Sequence, residues 1–551
     1  MFGRRGFLSG AAASVTAAAV AAEVGGAAGR ARADVDASKP NILVVIVDEM
    51  RAPMWFPDQG TLDQLLPNIA RIRNGSVSFE GHYTAANDCT ASRGALVTGL
   101  YAHQTGCMVV SESTLSPKFP TWGSMLREQG YESTWWGKWH LGHYPDRTPG
   151  ALDAYGFGGG TYPSPNGAPG QGLQADPKIV DDFVDWFEHD SGGAPWCTTV
   201  SLVNPHDIQY WPRWTRRDQN SLDIPRWMDQ LPANFESLEQ LSAKPRLQTA
   251  LVQASVIAFG LAPYGTQEAM TAWIEMRNLY LWLQQQVDIQ IGRVLDTLNS
   301  RPDVAANTVV IFTSDHGDYA GSHGLHGKGG GAYDEAVRVP FYVHDPRGYL
   351  SPTSGTSVRN QLTSSVDLTP LLLTIATGGT GWRSVDRYQH LQTRLDLTAL
   401  CRNASAPGRP YIAHTTDEAS IEEAALLFDS NAPAHVAMVR TADAKFATYS
   451  HWVDGRIQVD AAQEQEFELY DYSTDKGRLE LDNQAASGNP LRSSMEQLLA
   501  RAVDTEIQQP LPAYLKDAQD QGIDDYEQSQ RSIATKAERT GSFLQDFLTP
   551  Q

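Results

Sequence analysis

The sequence predicts an α/β fold: a large, mostly parallel sheet sandwiched by helices, with a smaller antiparallel sheet in the C-terminal part. Three observations carry this expectation. Short runs of apolar, β-branched residues alternate with longer stretches of helical periodicity, as in strands buried on both faces of a parallel sheet. Those runs end in acidic, amide or imidazole residues, where open α/β sheets place their sites. The composition then shifts near Arg409, and three short strand-like segments follow.

Taken in order, residues 1–33 read as a leader. Arg4-Arg5-Gly6-Phe7-Leu8 is a twin-arginine pattern, an apolar run spans Ala11 to Ala22, and Ala31-Arg32-Ala33 offers a cleavage site. The run is too short to span a bilayer comfortably. The expectation is export of a folded chain to the periplasm or beyond, with no membrane span in the mature protein. A main domain is expected over residues 40–405. Its strands are Asn41 to Val47, Thr199 to Val203 and Val309 to Phe312. Its helical patterns include Leu65 to Arg73, Val180 to Glu188 and Met276 to Leu298. Gly156 to Gly172 reads as a Gly/Pro-rich surface loop, and Pro212 to Gly265 as an irregular cap. A smaller α+β subdomain follows over 406–510, with strands Tyr411 to His414, Lys445 to Tyr449 and Phe467 to Tyr470. Residues 511–551 form a polar, helix-prone tail expected to pack on the body or, in a homo-oligomer, on a second subunit.

The 551 residues carry a formal charge of −21. A chain this acidic is a poor match for nucleic acid. It still permits an anionic substrate, because a metal and a few cationic side chains can reverse the field inside a pocket. The four cysteines, Cys89, Cys107, Cys197 and Cys401, match no zinc or redox spacing and are too few for a disulfide scaffold. Cys107, Cys197 and Cys401 read as buried thiols, with one disulfide among them as the alternative. The fourteen Trp hint at aromatic pocket walls or, more plainly, at core.

Three constellations carry the chemistry. Asp48-Glu49 and Asp315-His316 follow two strands, and Asn204-Pro205-His206 follows a third. One acidic residue after a strand is usually a helix cap or an ion-pair partner. Two such pairs at one sheet edge make a site for a divalent cation. Asn87 to Gly99 reads as a loop entering a helix, with Cys89 near its N-terminus and Arg93 one turn on. Both the helix dipole and the guanidinium favour negative charge at position 89. In Gly130 to Gly142, an extended reading points Lys138 and His140 to one side.

Together these residues resemble the sulfatase family of the alkaline-phosphatase superfamily. Cys89-Thr90-Ala91-Ser92-Arg93 is similar to the signature C-x-(P/A)-x-R, and Gly130 to His140 to the second signature, G-Y-x-(S/T)…G-K-x-H. Asn204-Pro205-His206 resembles the P-H segment. Thr313 to Gly317 with Gly324, Lys328 and Tyr333 to Pro340 resembles the metal-and-lysine block, and Glu468-Leu469-Tyr470-Asp471 the C-terminal strand. The resemblance spans roughly Pro40 to Asn483.

It implies an alkaline-phosphatase-like fold and an arylsulfatase-like sulfuric ester hydrolase, acting on a small-molecule or carbohydrate sulfate ester. It implies that a formylglycine-generating maturation enzyme oxidises Cys89 to formylglycine (3-oxoalanine), whose hydrate attacks sulfur. Arg93 would orient that residue. Lys138 and Lys328 would stabilise the sulfuryl oxygens, His206 would protonate the leaving alcohol, and His140 would take the proton of the second hydroxyl. Asp48, Glu49, residue 89, Asp315 and His316 would hold one divalent metal, Ca²⁺ by default. Three positions depart from the commonest pattern: Glu49, His316 and Ala91. The imidazole of His316 suits Mn²⁺ or Zn²⁺ better. It also points to the alternative function, hydrolysis of phosphonate monoesters or phosphodiesters on the same scaffold. A silent binding protein with unmodified Cys89 is the reading from outside enzymology.

Overall fold

The computed structural model describes residues 39–54, 58–110, 113–142, 148–192, 195–212, 222–259, 267–418, 429, 431–453, 456–486 and 488–548. The expected leader at 1–33 lies outside the described residues.

The main sheet has eight strands: β1 (Asn41–Asp48), β2 (Ser76–Tyr83), β3 (Glu132–Gly137), β4 (Gly158–Gly159), β5 (Trp196–Pro205), β6 (Thr308–Ser314), β7 (Phe341–His344) and β8 (Ser357–Ser364). Their order is β4-β3-β5-β1-β6-β7-β2-β8. Only β7 runs against the rest, pairing antiparallel with β6 and β2. The centre is β1, with Val44 opposite Thr199 of β5 and Ile311 of β6. The three apolar runs expected as its strands, Asn41 to Val47, Thr199 to Val203 and Val309 to Phe312, are β1, β5 and β6, each extended by a few residues.

The continuous apolar character of β1 has a direct cause. Ile42, Val44 and Ile46 enter one core layer, with Leu371 and Leu372 of the helix Leu368–Thr377. Leu43, Val45 and Val47 enter the opposite layer, with Phe183 of the helix Gln171–His189 and Val287 of the helix Gln267–Asn299. Neither face meets water, so neither can be polar. Trp122, Trp135, Trp139, Trp196 and Trp211 are fully buried, so these five are core.

The second sheet comprises β9 (Ile412–Thr416), β10 (His435–Arg440), β11 (Ala444–Ser450) and β12 (Glu466–Asp471), all antiparallel, in the order β12-β11-β10-β9. It reaches the body through the ion pair of Arg409 with Asp367 and the hydrogen bond from Tyr333 Oη to Glu468.

Several expectations are corrected. The helix expected over 65–73 is two helices, Gln59–Leu65 and Pro67–Arg73. Pro67 opens the second and drives Leu66 out of helical geometry. The loop at 156–172 contributes the edge strand β4 and the first turn of the helix Gln171–His189. The described part of 212–265 includes two helices, Leu238–Leu241 and Arg246–Phe259. The tail forms the long helix Ala513–Leu548, and it packs on the body. Leu515 and Ala518 join the first core layer, and a Cβ on Gly106 would sit 2.0 Å from the Gly522 carbonyl oxygen. All four cysteines are free and buried, so no disulfide links Cys107, Cys197 and Cys401.

Candidate active site

Strand order assembles the site. Because β3, β5, β1 and β6 are adjacent and parallel, their carboxyl ends line one edge. Lys138 follows β3, His206 follows β5, Asp48 ends β1 with Glu49 next, and Asp315-His316 follow β6. The chain leaving β2 runs through Thr84–Asp88 into α1 (Cys89–Thr98). The Asp88 side chain accepts from Ala91 N at 3.0 Å, and Gly99 closes the helix with φ 71. This is the Asx N-cap and glycine C-cap geometry, and it sets Cys89 on the first turn, at the positive end of the helix.

Arg93 is the hub. Its Nη2 donates to Asp48 Oδ2 and its Nε to Asp315 Oδ2, both at 2.8 Å. Its Nη1 donates to the Lys138 carbonyl at 2.7 Å and to Ser201 Oγ at 2.9 Å. One planar fork therefore ties α1 to the ends of β1, β3, β5 and β6. Ser92 Oγ adds a hydrogen bond to the Asp315 carbonyl.

Around Cys89 Sγ, His316 Nε2 lies at 3.2 Å, Lys138 Nζ at 3.5 Å and Asp48 Oδ1 at 3.7 Å. Lys138 Nζ also pairs with Asp48 Oδ2 at 2.8 Å. Lys328 Nζ pairs with Glu49 Oε2 at 2.6 Å and lies 3.1 Å from His206 Nδ1. His206 Nδ1 is 2.6 Å from Glu49 Oε2 and 3.0 Å from Asp48 Oδ1. His140 also faces Cys89, but not through an extended segment. Its φ is 56, so a left-handed residue, rather than strand alternation, turns the ring inward. That corrects the sequence expectation for the Lys138–His140 pair.

The electrostatics follow from this packing. Burial and Asp48 oppose a thiolate at Cys89, yet Lys138, Lys328 and His316 bring its pKa well below the ordinary thiol value. Burial likewise opposes ionised Asp48, but Lys138, His206 and Arg93 hold its carboxyl well below the usual range. Burial and Lys138 push His140 down to about 4, so its ring is neutral at pH 7. Cys107 and Cys197, by contrast, are pushed up by burial, as inert thiols are.

Asp48, Cys89, Asp315 and His316 each offer a ligand atom, and these atoms lie within 4.8 Å of one another; Asp48, Glu49 and His206 form an overlapping group. The residues fit a cation. Glu49 Oε1 is buried and accepts from no N–H or hydroxyl among the described residues. Beside it, burial, the facing Glu49 charge and a hydrogen bond with Glu49 push the Asp318 carboxyl well up, so the two carboxyls share a proton. The donor set itself suits a divalent ion: two carboxylates, an imidazole and residue 89 converge on one point. Asp318 is the acidic residue that sequence reasoning missed, although it stands two positions after His316. Ser201 was also missed, and inside an apolar strand it gives no signal.

A family model described as Sulfatase matches residues 40–379, more than half of the chain. This chain belongs to the sulfatase family. It is a sulfuric ester hydrolase. Among curated relatives of this sulfatase, YidJ of Escherichia coli (strain K12), named a sulfatase, is 28% identical over 374 residues, covering 61% of this chain and 68% of that protein. The choline-sulfatase of Rhizobium meliloti (strain 1021) is 25% identical over 378 residues, with the same coverage of 61% and 68%. Among solved structures, a 2-O GAG sulfatase aligns with a TM-score of 0.61 at 22% identity, covering 89% of this chain and 94% of that one. A phosphonate monoester hydrolase from Silicibacter pomeroyi also aligns at 0.61, at 20% identity, covering 84% and 94%. At these identities the structures establish the shared fold. No described helix of the sulfatase is long and apolar enough to cross a membrane.

Proposed function

We propose that this sulfatase hydrolyses its ester with a formylglycine made from Cys89. A divalent cation would be held by Asp48, Glu49, Asp315, His316 and residue 89. The supporting observation is the placement of Cys89: first turn of a buried helix, 3.2 Å from His316 and 3.5 Å from Lys138, inside the four-residue ligand group. When bound, the cation favours the deprotonated form of a hydroxyl at position 89 and offsets charge on the sulfuryl oxygens. Calcium is the expected ion, with manganese as the alternative favoured by the His316 imidazole.

The side chains divide the remaining work. Arg93 fixes the first turn of α1 and the two carboxylates it bridges. Lys138 and Lys328 direct two ammonium groups at the place where the sulfuryl oxygens gather charge. His206 gives a proton to the departing alcohol, with Lys328 beside it. His140, neutral and facing residue 89, accepts the proton that must leave that residue before sulfate departs.

The second reading, phosphonate monoester or phosphodiester hydrolysis, is favoured by one feature, the imidazole at position 316. Rates on 4-nitrophenyl sulfate and on a phenylphosphonate monoester separate the two. A higher kcat/KM on the sulfate is expected, and a higher value on the phosphonate would overturn the ranking. Cys89→Ala should lower kcat by about a thousandfold or more on either substrate.

A further inference from the structure

Lys328 is followed by Gly329, Gly330 and Gly331, and then by Ala332. Gly329 and Gly330 have φ +76 and +57, and a Cβ on Gly329 would meet the Glu418 carbonyl oxygen at 2.7 Å. The path of the chain therefore requires glycine there. A glycine run is also the kind of chain with the most backbone freedom to lose. Left to itself, it would not hold the neighbouring lysine in one place.

Side chains from four parts of the fold take up that freedom. Tyr319 Oη donates to the Gly329 carbonyl at 2.6 Å, and Gln248 Nε2 to the Gly330 carbonyl at 3.3 Å. Asn87 Nδ2 donates to the Gly331 carbonyl and Lys445 Nζ to the Ala332 carbonyl, both at 2.8 Å. Consecutive carbonyls are thus each held by a different side chain. Gln248 comes from the helix Arg246–Phe259 and Lys445 from β11 of the second sheet. Asn87 comes from the turn just before Cys89. It is fully buried, and its Oδ1 has no hydrogen-bond partner among the described residues. A carbonyl only accepts, so the amide nitrogen is the atom that must face Gly331. Burying an amide with one idle end is unfavourable, and the bond to Gly331 is the contact that offsets it.

We propose that Asn87 is a positioning residue: through the Gly331 carbonyl it fixes the loop that carries Lys328 against the turn that carries residue 89. This rests on the roles given to Lys328 and residue 89 above. The Lys328 ammonium is tied to Glu49 Oε2 at 2.6 Å and lies 3.1 Å from His206 Nδ1. Those contacts set where the side chain ends. The hydrogen bonds to the glycine run set where it starts, and Asn87 refers that start to the nucleophile's own turn. A cation that meets charge developing on the sulfuryl oxygens is most effective when it is in place before the reaction begins.

Amide hydrogen exchange of the full chain, read by mass spectrometry, tests the anchor without reference to turnover. Asn87→Leu keeps the shape of the side chain and removes its donor. Exchange in peptides covering 328–333 should rise about fivefold, the opening that one lost hydrogen bond allows, while β1 peptides stay unchanged. Unchanged exchange over 328–333, or a rise spread evenly over the chain, overturns the proposal. Kinetics test the consequence, on whichever 4-nitrophenyl ester the protein turns over, sulfate or phosphonate. Asn87→Leu should lower kcat about tenfold and leave KM within about twofold. In a Lys328→Met background the same substitution should cost less than about twofold, because its effect passes through Lys328. An equal loss in both backgrounds, or none in the otherwise unaltered protein, also overturns it. Should Lys328→Met turn over neither ester, the exchange result decides. Faster exchange over 328–333 in a protein inactive on both esters would sink the functional reading and leave the anchor standing. If Asn87→Leu does not fold, Asn87→Ala replaces it, and failure of both to fold assigns Asn87 to the fold alone and overturns the proposal.

Discussion

At the residue scale, Arg93 concentrates the design. Its guanidinium is fully buried and compensated by two carboxylates, a carbonyl and a hydroxyl. Arg93→Ala would leave Asp48 and Asp315 buried without their common counter-charge. Breaking such a pair by removing one partner costs about 3–5 kcal/mol. We expect a loss of that size in denaturant-unfolding free energy, together with loss of turnover. Arg93→Lys should recover little, because an ammonium cannot span both carboxylates. A loss below about 1 kcal/mol for Arg93→Ala would show that the fork is not holding the strand ends together. The helical spacing of Cys89 and Arg93 was legible in the sequence. The partners of Arg93, Ser201 on β5 and Asp315 just after β6, were not, since they lie 108 and 222 residues away along the chain.

At the element scale, α1 owes its start to Asp88. Asp88→Ala should cost about 1 kcal/mol and Asp88→Asn much less, because Asn also caps; thermal unfolding of the two variants compares them directly. This helix was readable from its residues: an Asx side chain before the first turn and a glycine after the last. The inward turn of His140 was not, because a left-handed backbone at a non-glycine is imposed by tertiary packing. Strand legibility followed burial. β1, β5 and β6 stand out because both their faces are covered. The edge strand β8 (SVRNQLTS) is mostly polar, and β2 (SVSFEGHY) is broken by an irregularity between Phe79 and Gly81, so neither announces itself. The tail helix depends on the close approach of Gly522 to Gly106. Gly522→Leu should detach it, which limited proteolysis would register as early cleavage after about residue 510.

At the scale of the whole molecule, buried histidines set the response to acid. Burial holds His82 and His390 down to about 3 and His414 to about 4. Their folded values lie below the unfolded value of 6.5, so the unfolded chain takes up protons first. The stability linked to them is fully present above pH 6.5 and is lost as the pH falls towards about 3. Unfolding free energies between pH 8 and pH 4 should therefore decline below 6.5. A flat profile would mean that these rings are not buried as neutral groups. The metal-ligand group makes a second prediction at this scale. A bound divalent ion stabilises the folded state by mass action, so a chelator should lower the melting temperature and added Ca²⁺ or Mn²⁺ should restore it. An unchanged melting temperature would count against a cation at Asp48, Glu49, Asp315 and His316.

One side chain decides the mechanism, so the most direct measurement is the mass of the tryptic peptide that contains residue 89, taken from protein made by its native host. The account predicts a peptide lighter than the thiol form, carrying an aldehyde and refractory to alkylation. A peptide whose Cys89 is fully alkylated would contradict it and leave an ordinary thiolate, or no nucleophile, at the centre of the site.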